Sequence, residues 1–423
     1  MSKYTKEDLM HRIEEEGVEF VRLQFTDLFG TLKNMAITVG QLERAWNHQC
    51  MFDASFIKGF VGIEETDLCL YPDFDTFQIF PWRPQQGKVA RLICDIYRPC
   101  GEPFEGDPRF ILKKVLKKAD AMGYTFQVGP ECEFFLFHTD DNGLPTTTTH
   151  EKAGYFDLGP LDLGENARRD IVLSLEEMGF IVESSHHEAA PAQHEIDFRY
   201  DEALKTADNI MTFKLAVRSI AKRHGLHATF MPKPVFGVNG SSMHTNMSLL
   251  KNGKNSFANK QDKYGLSTEA YQFIAGILAH MKGMMAITNP IVNSYKRFVP
   301  GFEAPMYLNW STASRSSLIR IPEIRGEGTR VELRCPDSAC NPYLTLAVCL
   351  AAGLDGIQKG WMPSDRIERL PKDLGEAIRE LEKDYFIQEV LGKHVTERYL
   401  EEKTNEWLQY SSQVTDWEIG KYL

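Results

Sequence analysis

The chain has 423 residues and a formal net charge of −11. That length supports two or three domains with a sizeable core, and the acidic balance argues against a nucleic-acid-binding surface. Its eight cysteines show no CxxC pair and no regular spacing, so reduced thiols and a cytoplasmic setting are expected rather than a disulfide framework.

Residues 1–17 read as a polar helix with Thr5 as N-cap and Gly17 as stop, not as a signal peptide. Residues 18–100 read mainly as strands and turns, with strands at 18–25 and 88–96. A Gly/Pro-rich linker at 99–108 marks a domain boundary, giving units 1–103 and 104–423. Asp107-Pro108 then looks like an N-cap with proline at the first helical position. Ile111, Leu112, Val115, Leu116 and Ala119 recur at helical spacing up to Gly123.

In the apolar strand 129–137, Glu131 and Glu133 are two residues apart and share one face. Like charges at ~4 Å repel by roughly 4 kcal/mol at an effective dielectric of about 20. Buried carboxylates persist only when paired or metal-bound, so a cation is expected there. Cys132 faces the other way, into the core. Helices are expected at 166–178 and 201–224, with short strands between helices, which reads as α+β with a mainly antiparallel sheet. The longest apolar-looking stretch, 274–287, is interrupted by His280 and Lys282 and is too short to span a bilayer. From about residue 370 the chain reads as charged amphipathic helices, with Leu374, Ile378 and Leu381 on one face, forming a structural cap.

Four more segments set polar residues into strand patterns. In 186–198, Glu195 and Asp197 share a face, and the preceding His186-His187 pair reads equally well as a solvated strand edge. In 233–244 an Asn239-Gly240 turn leads to His244. Segment 293–305 is a loop carrying Arg297 and Glu303, and in 330–334 Arg330, Glu332 and Arg334 alternate onto one face. Each alone has a structural reading, such as a salt-bridge ladder or a satisfied core histidine. Together, five glutamates and one histidine suit Mg²⁺ or Mn²⁺ better than zinc. The arginines at 297, 315, 320, 330 and 334 suit an anionic substrate. Metals with an arginine cluster point to phosphoryl transfer. No GxxxxGK[ST] or GxGxxG loop occurs, so metals and arginines would hold a nucleotide.

These motifs, in this order over nearly the whole chain, resemble class I glutamine synthetases of the bacterial and archaeal type. The resemblance implies a small N-terminal β-grasp-like domain and a large catalytic domain with a curved antiparallel sheet flanked by helices. It implies ATP-dependent ligation of glutamate and ammonium through γ-glutamyl phosphate, with two or more Mg²⁺ or Mn²⁺ per site. One cation would be held by Glu133, Glu188 and Glu195, the other by Glu131, His244 and Glu332. Arg297 and Arg334 would grip glutamate, with Asn239 and Gly240 near its amino group. Tyr200, Ser248, Arg315, Arg320 and Arg330 would bind ATP or the moving phosphoryl group. Asp53, Tyr155 and Glu188 would bind ammonium, and Glu303 would take a proton and exclude water.

Asp53 is expected to act in a neighbouring subunit's site, in a homo-oligomer of two hexameric rings open to regulatory proteins. The sequence departs from the family pattern at Asp53-Ala54-Ser55-Phe56 (Asp-Gly-Ser-Ser in the family), at Ala192 and Ser242 (both glycine in the family), and at Gly62, where feedback-regulated relatives often carry arginine. The adenylylation segment is absent between Gly360 and Pro371, a stretch that includes Ser364 and Arg366. A γ-glutamyl ligase for a larger amine and a non-catalytic nitrogen-sensing paralogue are the alternatives.

Overall fold

The computed structural model describes residues 4–61, 67–364 and 367–423; Gly62 and Arg366 lie outside them. The N-terminal unit is a five-stranded sheet in the spatial order Leu32–Thr38, Val18–Thr26, Lys88–Tyr97, Asp67–Ile79, Met51–Asp53. The two strands expected from sequence are its central, parallel pair, and the other pairs are antiparallel. Val21, Leu23 and Phe25 alternate into the core, where Leu9 and Ile13 of the helix Lys6–Glu16 join them. That helix starts at a Thr5/Asp8 capping box and ends at Gly17, whose φ of 65° suits glycine. The stretch read mainly as strands and turns also contains a helix, Leu42–Trp46, whose five residues are too few to show periodicity.

The larger unit is built on a ten-stranded sheet around the long strand Tyr124–His138. Met243–Lys251 and Gln193–Phe198 flank it antiparallel, in register His244↔Glu131↔Asp197 and Glu133↔Glu195. Val331–Leu333 continues the sheet beyond Met243–Lys251, pairing Glu332 with Asn246. Residues two apart share a face, so these pairings align acidic residues from several strands in one layer. Cys132 points away from that layer and is buried, as read from sequence.

The helices expected at 166–178 and 201–224 form as Glu165–Glu177 and Ala203–Arg223, the latter preceded by a two-residue strand, Asp201–Glu202. Under the sheet, Pro108–Ala121, Thr268–Thr288 and Pro342–Lys359 share the main core. Leu374, Ile378 and Leu381 are buried in Leu374–Lys383, the first helix of the C-terminal cap.

One ion cluster joins the two units. Arg109, at 3% exposure, reaches Asp73 (2.7 Å) and Asp95 (2.7 Å) of the N-terminal sheet and Asp208 (2.9 Å) of the larger unit. Tyr343 Oη donates to the same Asp208 at 2.7 Å.

Candidate active site

The sheet's functional face repeats along the central strand as Gln127, Gly129, Glu131 and Glu133. Opposite them on Met243–Lys251 stand Ser248, Asn246 and His244. Glu131 accepts from His244 Nδ1 at 3.0 Å and Asn246 Nδ2 at 2.9 Å. His244 Nδ1 also lies 3.7 Å from Glu332, a carboxylate at 1% exposure that accepts from Arg320 at 2.9 Å and from Arg334. Ligand atoms of Glu131, His244 and Glu332 all lie within 4.8 Å of one another. The sheet thus brings together the three residues assigned from sequence to one cation.

A second group of the same span contains His186, Glu188 and Glu195. His186 Nε2 is 3.1 Å from Glu188 and 3.6 Å from Glu195. Sequence reasoning placed Glu133 here and left His186 open. Glu133 stands beside them, accepting from Gln193 Nε2 (2.8 Å), the Ser242 amide (3.1 Å) and the Ser242 hydroxyl. The adjacency His186-His187-Glu188 was the available signal for the imidazole.

The charges of this layer cannot all stand alone. Burial, then the carboxylates of Asp197, Glu133, Glu131 and Glu188, push Glu195 up to about 11. Burial also raises Glu133, with Glu188 adding to the rise and His244 opposing it. Burial opposes ionisation of Glu131 too, but hydrogen bonding and charge from His244 win and hold it at about 2. Oxygen donors with one imidazole per group fit hard divalent cations of the Mg²⁺ or Mn²⁺ class, and such cations would relieve the repulsion.

A cavity beside these groups is lined by Glu133, Glu188, Asn239, Gly240, Ser242, His244, Arg297, Glu303 and Arg334. Gly240 has no room for a side chain, because a Cβ there would collide with Pro232 O. Arg297 is 3% exposed and donates to Cys335 O at 3.0 Å. Arg334 Nε donates to Arg315 O at 2.8 Å, and Arg330 Nε to Asn246 Oδ1 at 2.9 Å. Arg315 and Glu303 have exposed side chains. Both act electrostatically on Tyr155, whose phenol pKa is raised by burial and then by Glu188. Tyr200 packs on Gly129, where a Cβ would stand 3.2 Å from the Tyr200 Cβ.

Asp53 does not join this group within the chain. It is exposed and accepts from Ser55 N (2.9 Å) and Ser55 Oγ (2.6 Å) in its own turn, next to Phe56 at 85% exposure.

Sequence reasoning missed the layer behind the second group. Buried His187 faces acceptors on both sides: Glu151 at 2.7 Å from Nε2, and Gly154 O (3.0 Å) and Glu188 O (2.7 Å) from Nδ1. Both nitrogens therefore donate. Burial opposes that charge, but the Glu151 hydrogen bond outweighs it and the pKa is raised. This clamp fixes Glu188 and the turn bearing Tyr155. Nearby Asp162 and His194 are bridged by Arg168 at 2.7 and 2.8 Å, so a guanidinium already supplies the positive charge there.

Two of the departures from the family pattern, Ala192 and Ser242, take part in local structure. Ala192 takes the left-handed φ of 66° that glycine would favour, while Ser242 ties down Glu133.

Residues 105–422 match the family model "Glutamine synthetase, catalytic domain", and residues 17–99 match "Glutamine synthetase, beta-Grasp domain". The chain belongs to the glutamine synthetase family. It is 60% identical to a glutamine synthetase of Clostridium saccharobutylicum, covering 100% of this chain and 99% of that one. Identity to a glutamine synthetase of Staphylococcus aureus strain MW2 is 52%, with 99% and 98% covered. Among solved structures it resembles a GmaS/ADP complex, with TM-score 0.90, 33% identity and 98% and 99% covered. A Plasmodium falciparum glutamine synthetase matches with TM-score 0.91, 26% identity and 100% and 99% covered. Both expected parts of the glutamine synthetase fold, β-grasp and catalytic, are present. Among the described residues, no helix is long and apolar enough to cross a membrane.

Proposed function

We propose that this ligase, which makes glutamine from glutamate and ammonium with ATP, works through γ-glutamyl phosphate on the face described above. The observation that carries the reading is the convergence of two donor groups, Glu131/His244/Glu332 and His186/Glu188/Glu195, beside the Arg297–Arg334 cavity. Bound divalent cations would supply charge neutralisation for ATP phosphates and the carboxylate. Glu133 lines the cavity and is close enough to Glu188 for their charges to interact, so it would serve as a further donor to that cation.

Arg297 and Arg334 bind glutamate's carboxylates in the cavity, with Asn239 and Gly240 beside its amino group. Arg315, Arg320 and Arg330 stabilise charge developing on the transferred phosphoryl group. Tyr200 and Ser248 contact the nucleotide. An ionised carboxylate is a poor acceptor for ammonia, and phosphorylation gives it a leaving group. Ammonium is held by Glu188, Tyr155 and Asp53 of a neighbouring copy, and Glu303 accepts its proton while shielding the acyl phosphate from water. Asp53's exposed place on the β-grasp sheet supports a homo-oligomer with shared sites, for which we favour two stacked hexameric rings. We place the division between the two domains at residues 103/104 and the enzyme in the cytoplasm.

Phosphate release measured with ATP, glutamate, ammonium and Mg²⁺ should require all four together. Release indifferent to ammonium would overturn the assignment. A panel of larger amines in the same assay tests whether Phe56 and Ala54 admit a different acceptor.

A further inference from the structure

Lys233 is 7% exposed, yet among the described residues no carboxylate pairs with its ammonium. A buried, unpaired cation is costly and needs some other compensation. Its backbone is fixed from both sides by Asn293: Lys233 N donates to Asn293 Oδ1 at 2.7 Å, and Asn293 Nδ2 donates to Lys233 O at 2.9 Å. From that anchor the ammonium makes two contacts. It donates to Val238 O, next to Asn239, and it lies 3.8 Å from the centre of the Phe302 ring, next to Glu303. The segment around Phe302 is otherwise lightly held, with Gly301 and Glu303 exposed and Gly301 at a φ of 94°.

We propose that Lys233 is a positioning residue that latches the Glu303 loop to the Asn239-Gly240 loop, closing the cavity over glutamate and keeping water from the acyl phosphate. This rests on the function proposed above. A cation over an aromatic face is held most strongly where water is excluded, so the latch tightens as the cavity closes. When it is lost, water's oxygen adds to the γ-carbonyl carbon, the bond from that carbon to the phosphate oxygen breaks, and water's protons pass to solvent or phosphate. Glutamate is regenerated, and ATP and water are converted to ADP and phosphate without glutamine.

The test measures ADP and glutamine in parallel on the full chain, at saturating glutamate and limiting ammonium. Wild type should give about one ADP per glutamine, while Lys233→Met and Phe302→Leu should each raise the ratio roughly five-fold and, in a separate glutamate titration, raise the KM for glutamate. The double variant should be no worse than the poorer single one, and Lys233→Arg should restore coupling. Phe302 is partly exposed, so its variant decides the matter if Lys233→Met fails to fold. Unchanged ratios in the single variants, or independent effects that multiply in the double, would overturn the latch. Wild type that makes no glutamine would overturn the functional reading instead.

Discussion

His244 Nδ1 stands 3.0 Å from Glu131 and 3.7 Å from Glu332, so one imidazole joins carboxylates from two other strands. Each of the three comes from a different element of the sheet, and the register His244↔Glu131 fixes the pair before any ligand arrives. Replacing His244 by glutamine should weaken cation binding and cut turnover by at least ~100-fold, with little change in unfolding midpoint. Equal Mn²⁺ affinity in the variant would refute the role.

Arg109 is the stability hinge between the two units. Removing it takes away the one cation that bonds all three of Asp73, Asp95 and Asp208, leaving Lys113 on Asp95 and Arg91 nearby, and breaking such a buried cluster costs about 3–5 kcal/mol. Arg109→Met should lower the urea midpoint accordingly, in the presence or absence of substrates. A change under about 1 kcal/mol would show that the cluster is dispensable.

Ala192 tests how much a left-handed alanine costs. Relief of strain favours glycine by about 1–2 kcal/mol, but the methyl group is buried against Phe135 and Phe137, worth about 0.8 kcal/mol. Glycine's extra chain entropy takes back roughly 0.5–1 kcal/mol more. Ala192→Gly should therefore be close to neutral in denaturant unfolding and in glutamate KM. Ala192→Val, β-branched at positive φ, should be destabilising.

His280 gives the fold a pH dependence away from the active site. Its ring nitrogens lie 2.9 Å from Asp384 and 3.1 Å from Asp355, and Lys359 also pairs with Asp355. Burial opposes the imidazolium, but the hydrogen bonds to Asp384 and Asp355 raise its pKa above the ordinary value. The stabilisation is therefore fully present below the unfolded pKa of about 6.5 and is lost as pH rises through the higher folded value. The difference in unfolding free energy between wild type and His280→Gln should shrink as pH rises through that window. A difference that grows with pH would contradict the pairing.

The sequence exposed what period and punctuation can encode. Glu131 and Glu133 stood out because strand alternation puts both charges on one face of an apolar run. Thr5 and Gly17 marked both ends of the first helix. What stayed hidden depends on distant partners: Glu133 turns to Ser242, 109 residues away, and Arg109 to Asp208, 99 residues away. The helix Pro342–Lys359 is buried nearly all round, so it lacks the polar stripe that periodicity needs. Its Asn341-Pro342 start and Gly360 stop were the readable signals. The clamp of His187 on Glu151 combines two residues that are each unremarkable in sequence.

Mn²⁺ titration of the whole chain tests the central claim most directly. Binding should saturate at two or more ions per chain; Glu131→Gln with Glu332→Gln should remove one, and Glu188→Gln with Glu195→Gln another. A single ion, or binding that survives both pairs of substitutions, would contradict the account.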